Sequence, residues 1–512
     1  MQHAPHPLVT RAEALRTAAL TAAFGLWLVL WALVVPVFQA PDEPAHFDAA
    51  LHVATGSGWP DPGTLHVSNA VGAAQQEQAS ADASSWSTVS ALLQEHPGDS
   101  GTVNQMTQHP PTAYLADAAV LRVLHHGSLR WDHALVALRL FDAALVTPLA
   151  LLTWAAVRRV TRSPRAALFG ALALFAVPQL ASVGGSVTND APVLLLGGTV
   201  VWLATRLLTG DLRRRTLLAL AVALGLLVAT KGTGLPAIPF VALVVLVAGA
   251  GTLTRGARSL RTAAALVVAG AIGAWWWVRN LLVFHTLQPD GYAAIRPDRP
   301  FPAGEQPSPG HFLDVSWGTL ARTFWGSPGQ RAQVSIGDTL TAVLTVVALV
   351  VLVGWAFRRG PTLVPAVCLA VFPGLLLLLQ TASSARAYLD TTEVAGTQGR
   401  YLFPALVCLV VLSALAWRRL TGPGAGRTVL TRSLAVALPA VGIWGLAVVS
   451  AWFWNAADGP LSATSVARYG ATGPVPFAVV LLVAVLVAAG ITVGVGGVWR
   501  PWPVGVSARR PG

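Results

Sequence analysis

Lysine is all but missing from this chain: Lys231 is the only one among 512 residues. Charge of any kind is scarce, at 11% of the sequence, where soluble domains carry about 25%. With 54% hydrophobic residues and a mean hydropathy of +0.61, that scarcity excludes a soluble globular protein and leaves a polytopic membrane protein. Cysteine is confined to Cys368 and Cys408, both inside apolar runs. They read as two free, buried thiols and say little about redox compartment. A concentrated basic face is also missing. The net charge of +12 comes from short arginine clusters dispersed between apolar runs, which argues against nucleic acid as a partner. The stretch 39–112 has no Lys or Arg at all, yet holds eight acids.

Long apolar runs are what the chain has instead. A helix needs about 20 apolar residues to cross the hydrocarbon core. Twelve segments are candidates: 17–38, 134–157, 165–183, 190–208, 215–230, 235–251, 262–284, 337–357, 361–380, 401–417, 432–453 and 475–497. The first follows Arg11 and Arg16. It exceeds a signal-peptide core of about 7–15 residues, so it reads as an uncleaved span. The stretch 113–127 carries Arg122, His125 and His126 and is expected at the interface, as a surface or re-entrant helix; residues 84–94 read as a short surface helix. With the N-terminus in the cytoplasm, 22 of the 34 Lys and Arg fall on the inner side, against only Glu13 and Asp211 of the 22 acids. The reading is an all-α polytopic membrane protein of about 12 transmembrane helices. It has a cytoplasmic N-terminus 1–16, one transmembrane domain 17–497 with outer loops 39–133 and 285–336, and a cytoplasmic tail 498–512. Short interfacial helices are expected in the first loop.

Polar residues gather at the outer helix ends, where ionisable groups near hydrocarbon are costly and are candidates for function. Pro41-Asp42-Glu43-Pro44-Ala45-His46-Phe47 follows the first run. If it restarts as a helix, Asp42 and His46 share a face at i, i+4. His109-Pro110-Pro111-Thr112-Ala113-Tyr114 closes the first loop, and Asn189-Asp190 opens the fourth run. Lys231 ends the fifth, Arg279-Asn280 follows Trp275-Trp276-Trp277, and Gln398-Gly399-Arg400-Tyr401 opens the tenth. Plainer readings stand beside these. Asp42 and Glu43 also suit a solvated turn. Lys231 and Arg279 suit snorkelling side chains, Asn189 or Asp190 a helix cap, His109 a loop histidine, and the tryptophans interfacial anchors. Arg139 and Asp142, at i, i+3, read as an internal ion pair. Arg122, Arg130, His125, His126 and His133 read as a rim near lipid headgroups. Taken together, carboxylates suit a general base for an incoming hydroxyl, and Lys and Arg suit a phosphate leaving group. That combination describes transfer of a sugar from a lipid-linked phosphate donor.

Residues 41–47 resemble the acidic first-loop motif of GT-C glycosyltransferases, especially the Asp-Glu-x-His-Phe form in protein mannosyltransferases. His109-Pro110-Pro111 with Tyr114, Asn189-Asp190, Thr230-Lys231 and Arg279-Asn280 are similar to recurrent GT-C positions in the same order. With Gln398-Gly399-Arg400-Tyr401-Leu402-Phe403-Pro404, the chain looks most like a bacterial membrane family called domain of unknown function 2142, over roughly residues 15–420. The resemblance implies a GT-C-like fold and an inverting transferase at the outer face of the bacterial cytoplasmic membrane, with a polyprenyl-phosphate sugar donor. It makes Asp42 the catalytic base, with Glu43 second, and gives His46 the task of orienting the acid or helping to ligate a metal. Lys231, Arg279 and Arg400 would hold the donor phosphate. His109, Tyr114, Asn189, Asp190, Asn280, Gln398 and Tyr401 would line the site. A divalent metal, Mg or Mn, stays open, with Asp42, Glu43, His46 or Asp190 as its ligands. So does the acceptor, an envelope polysaccharide, lipid or protein. The chain departs from better-known members after His-Pro-Pro, where Thr112 and Ala113 precede Tyr114. The alternative is a multipass transporter or lipid-sugar flippase. Such folds show internal repeats and a site near the midplane, whereas here the polar groups lie at outer ends and no convincing repeat is present.

Overall fold

Helix α1 (Arg11–Val34) is the axis of the molecule. The Thr10 hydroxyl caps it by accepting the Glu13 amide. Leu20, Phe24, Leu28 and Trp31 along it are wholly buried, so one length of the helix packs against protein, while Leu15 near its start is exposed. The computed structural model describes residues 9–79, 82–289, 299–421, 424–454 and 462–500. The expected segments 1–16, 285–336 and 498–512 therefore lie partly outside the described residues.

The first loop is a folded unit. It contains α2 (Glu43–Ala54), then an antiparallel ribbon, β1 (His66–Ser68) with β2 (Asp99–Val103), which encloses α3 (Asn69–Gln78) and α4 (Val89–Glu95). Helix α5 (Thr112–Val123) closes it. The surface helix expected over 84–94 is a short 3-10 turn, Ala83–Ser85, followed by α4. Helix α5 covers most of the 113–127 segment expected to be helical, and the Thr112 hydroxyl donates to the Ala229 carbonyl at 2.7 Å. Arg122 is exposed, as a rim residue would be, and has a structural partner as well. It donates to the carbonyls of Val53 and Ala54 and so caps the C-terminus of α2.

The rest is helical: α6 (Trp131–Val146), α7 (Leu149–Thr161), α8 (Pro164–Ala173), α9 (Pro178–Gly184), α10 (Asp190–Leu208), α11 (Arg214–Val228) and α12 (Ala237–Val247). There follow α13 (Arg255–Gly273), α14 (Trp275–Phe284), α15 (Pro309–Trp325), α16 (Asp338–Trp355), α17 (Leu363–Thr391) and α18 (Leu406–Leu420). The last three are α19 (Ala425–Trp454), α20 (Ala463–Thr472) and α21 (Phe477–Trp499). Among the described residues eight helices, α6 and α7 counted together, are long and apolar enough to cross a membrane. The number is ten if the bent pairs α8–α9 (76°) and α13–α14 (66°) each make one span. All twelve expected segments contain helix, but 215–230 and 235–251 fold as 15 and 11 residues. At a rise of 1.5 Å per residue these reach only about 22 and 16 Å of a core about 30 Å thick. The Lys231–Pro236 turn separates them. The expected count of twelve is thus eight to ten by length and composition.

One correction concerns charge. Arg139 does not pair with Asp142. Its Nη1 donates to the carbonyls of Ala32 and Val35 at 2.7 and 2.6 Å, and Nη2 to that of Pro36 at 2.9 Å. Its Nε and Nη2 hold the two Glu43 oxygens at 2.7 and 2.6 Å, with both side chains fully buried. The reason lies in the end of α1, whose last carbonyls have no intrahelical donor and draw the guanidinium to them. Asp142 instead accepts the Thr188 amide at 2.9 Å.

The arginine-rich segments meet at the other end of the bundle. Arg158 pairs with Glu13 at 2.7 Å. Arg418 donates to the Thr161 carbonyl, Arg261 to that of Leu212 and Arg165 to that of Arg500.

Glu43→Gln strands a buried guanidinium and is expected to cost about 3–5 kcal/mol. Denaturation of the purified protein in detergent checks this. The double variant Glu43→Met, Arg139→Met is expected to recover part of the loss, and a single variant as stable as the wild type would remove the pair from its structural role.

Candidate functional site

Asp42 and Glu43 are neighbours with separate tasks. Asp42 sits at the N-cap of α2 with φ 56° and ψ 10°, in the left-handed region, and its side chain makes no capping hydrogen bond. Aspartate tolerates that conformation better than most residues. Glu43 is buried against Arg139 and also accepts the Val187 amide at 3.2 Å. Asp42 lines a cavity of about 310 Å³.

That cavity gathers residues from seven segments. Asp42 and His46 come from the start of α2, and His109 from the turn before α5. Asn189 and Asp190 come from the start of α10, and Lys231 from the turn after α11. Gln380 lies on α17, and Arg400 and Tyr401 belong to the 3-10 segment Gly399–Ala405. Gln288 completes the wall. Two backbone approaches set Arg400 in place. A Cβ at Gly399 would overlap the Leu320 carbonyl and the Phe324 amide, and one at Gly197 on α10 the Pro404 carbonyl. The Gly399 amide donates to Thr323 Oγ1 at 2.7 Å.

Each cation in the cavity has a carboxylate partner. Arg400 Nη2 lies 3.0 Å from Asp42 Oδ2, and Lys231 Nζ lies 2.6 Å from Asp190 Oδ1. Lys231 is 10% exposed, so it is no snorkelling side chain, and Asp190 is its partner rather than a cap. Both cations also sit over the Tyr401 ring, at 5.9 and 5.8 Å. Several buried polar atoms of the lining residues have no protein partner: His109 Nδ1, Asn189 Oδ1, Thr233 Oγ1, Arg400 Nε, and both the Oε1 and Nε2 of Gln380. Buried polar atoms are ordinarily satisfied, so this concentration fits a polar ligand.

Tyr114 stands one layer behind. Asn189 Nδ2 donates to its hydroxyl at 3.2 Å, which leaves the phenol proton for His46 Nδ1 at 3.0 Å. His46 is thereby assigned the neutral form with its proton on Nε2. Burial, opposed by Asp42 and reinforced by Lys231, lowers the His46 pKa to about 4. Burial, reinforced by Lys231, also holds the His109 ring well below the usual histidine range.

Other expected site residues fall elsewhere. Glu43 faces Arg139, not the cavity. Arg279 pairs with Asp61 and lies against the Trp276 and Phe284 rings, outside the cavity lining. It is drawn there because Asp61 lies across a solvent-accessible contact. Asn280 is buried and donates to the Leu287 carbonyl at 3.0 Å. Gln398 precedes the 3-10 segment as its N-cap and does not line the cavity. The tryptophan triplet is only partly an interfacial anchor: Trp275 is exposed, while Trp276 and Trp277 are buried. Gln105, Gln108, Gln288 and Gln380 line the cavity without having been singled out from the sequence. Only Gln380 offered a signal, a carboxamide directly after five leucines.

The candidate metal ligands do not form a donor set. Among the described residues no group of three His, Cys, Asp or Glu side chains is placed to hold a metal. Asp42, Glu43 and Asp190 are each engaged by a cation of the protein, and His46 Nδ1 by Tyr114.

The fold and site define a multipass membrane protein with a polar cavity where several helices begin or end, beside a folded first loop. The chain belongs to the family described as Predicted membrane protein (DUF2142), which matches residues 24–299. No curated protein matches the sequence. Among solved structures, the chain is similar to ArnT from Cupriavidus metallidurans bound to undecaprenyl phosphate. The identity is 16% over 95% of this chain and 75% of that one, with a TM-score of 0.47. It is also similar to the apo oligosaccharyltransferase of Archaeoglobus fulgidus, at 14% identity over 94% of this chain and 56% of that one, with a TM-score of 0.44.

The lowered His46 pKa carries a sign. The unfolded chain takes up a proton as pH falls through 6.5, and the folded state does so only near 4, so stability falls over that window. Against the wild type, His46→Gln is expected to shrink the loss between roughly pH 7 and pH 5 by on the order of 2 kcal/mol. Denaturation at the two pH values measures it, and an unchanged slope would rule out the buried neutral imidazole.

Proposed function

We propose that the protein transfers a sugar from a polyprenyl-phosphate donor to an acceptor at the outer face of the bacterial cytoplasmic membrane, with both termini in the cytoplasm. The single observation that carries this reading is the meeting of Asp42, Lys231 and Arg400 around one cavity, although Asp42 and Arg400 are 358 positions apart. Lys231 and Arg400 present charged donors to a phosphate, and such bonds strengthen as the leaving group gains charge. Arg400 Nε is a further donor without a protein partner. Asp42 is the carboxylate in reach of an incoming hydroxyl, with its side chain 37% exposed. On one side the lining is aliphatic: Leu376 and Leu379 of α17 border the cavity, and Leu379 is exposed on a candidate span. That arrangement suits a ligand with a phosphate head and a hydrocarbon tail.

In this reading the acceptor oxygen bonds to the anomeric carbon from the face opposite the phosphate, which inverts the configuration. The bond from that carbon to the phosphate oxygen breaks, and its electron pair leaves on the polyprenyl phosphate. The acceptor proton passes to Asp42. His46 offers its Nε2 proton as a hydrogen-bond donor at the same wall. Arg279, outside the cavity lining, ties the first loop to α14 through Asp61. A transporter would be expected to hold its site near the midplane, and this cavity lies at helix ends.

The envelope glycan profile of a strain lacking the protein is expected to miss a sugar. The wild-type gene restores it. Asp42→Asn is expected to lower transfer roughly 10²–10⁴-fold, at an unchanged level of inserted protein. Restoration of the sugar by Asp42→Asn would defeat the assignment of the base.

A further inference from the structure

Asp42 lines a second, larger cavity of about 920 Å³, and only Gln105 is likewise common to both. This groove is formed by the start of α2, the β1–β2 ribbon, α3, the turn after α4, and Gln330 and Arg331. None of its lining residues belongs to a candidate span. Its walls are fixed from behind. Asp48 on α2 accepts the amide and the hydroxyl of Ser68 at 2.9 and 2.7 Å, and Asn104 Nδ2 at 2.8 Å. The Asn69 carboxamide donates to the Pro97 carbonyl at 2.9 Å.

Neutral hydrogen-bonding groups make up most of the polar chemistry facing this groove. Asn69, Gln75, Gln76, Ser100, Thr102 and Gln330 carry carboxamides or hydroxyls, each both donor and acceptor. The formal charges are Asp42, Glu95 and Arg331, His96 adds an imidazole, and no Trp, Tyr or Phe lines the groove. Two acids against one base oppose an anionic ligand. The absence of an aromatic anchor pocket is unlike a peptide site, and the position outside the spans is unlike a lipid site. Rows of groups that donate and accept together match the adjacent hydroxyls of a sugar ring.

We infer that this groove holds a neutral saccharide as the acceptor, with one of its hydroxyls presented to Asp42. The inference rests on the transferase reading and narrows its acceptor to a class. The saccharide oxygen bonds to the anomeric carbon of the donor in the first cavity, its proton goes to Asp42, and polyprenyl phosphate leaves with the electron pair.

Gly72 on α3 lines the groove, and a Cβ placed there meets nothing within 4 Å. Gly72→Leu therefore starts its side chain in the open space of the groove. Gln75→Ala with Gln76→Ala removes two hydrogen-bonding side chains at accessible positions. The test uses the full-length protein in detergent. The probes are the neutral polysaccharide fraction from the envelope of a strain lacking the protein and, for comparison, a pool of peptides rich in Ser, Thr and Asn. The polysaccharide is expected to bind the wild type, and both groove variants to weaken binding about tenfold. Absence of polysaccharide binding, equal binding by both variants, or binding of the peptides instead overturns the proposal. The envelope profile separates the two readings. Loss of the sugar with Asp42→Asn but no polysaccharide binding keeps the transferase and removes the groove. Groove-dependent binding with transfer intact in Asp42→Asn does the reverse.

Discussion

The structure turns on one buried ion pair, Arg139 with Glu43, at the point where α1 stops. A helix ends with carbonyls that have no donor, and this end is sealed inside protein rather than exposed to water. Arg139 donates to the carbonyls of Ala32, Val35 and Pro36, at and just beyond this end, and to both oxygens of Glu43. It therefore joins α1, α2 and α6 at a single guanidinium. A buried pair of this kind contributes little net stability over an apolar replacement. Its value is in position: it sets where α2 begins, and hence where Asp42 stands.

Adjacent carboxylates acquire different surroundings through one backbone angle. The left-handed conformation at Asp42 turns the chain so that Asp42 reaches the cavities while the next side chain points into the core. The cavity is then completed by parts that are distant in sequence but each held locally. Arg400 is fixed by glycine contacts that admit no side chain, and Lys231 by its pair with Asp190. The arginine clusters engage backbone carbonyls at the far end of the bundle and leave the cavity end to the acids of the first loop.

Much of this was legible in the sequence, and the limits have physical causes. Apolar runs give helices because the bilayer leaves the backbone no other way to satisfy its hydrogen bonds. Asp42, Lys231 and Arg400 were legible because rare charges beside apolar runs stand out. The number of spans was not, since the short helices α11 and α12 have spanning composition without spanning length. Partners were not legible either. The i, i+3 spacing made Asp142 the natural mate of Arg139, and nothing local shows that α1 leaves carbonyls in reach. Arg279 and Glu43 carried the right chemistry, but Asp61 and Arg139 bind them elsewhere. Neutral glutamines such as Gln105 and Gln288 gave no signal, since an amide in a loop is unremarked until a cavity wall forms around it.

The placement of Arg139 also bears on biogenesis. Arg139 belongs to a candidate span, Trp131–Thr161, where an unpaired charge is costly. Its carboxylate mate lies 96 residues earlier and has already been synthesised. The first helix and its exit corner thus form a waiting receptacle, and the order of synthesis supplies the counter-charge before the charge that needs it.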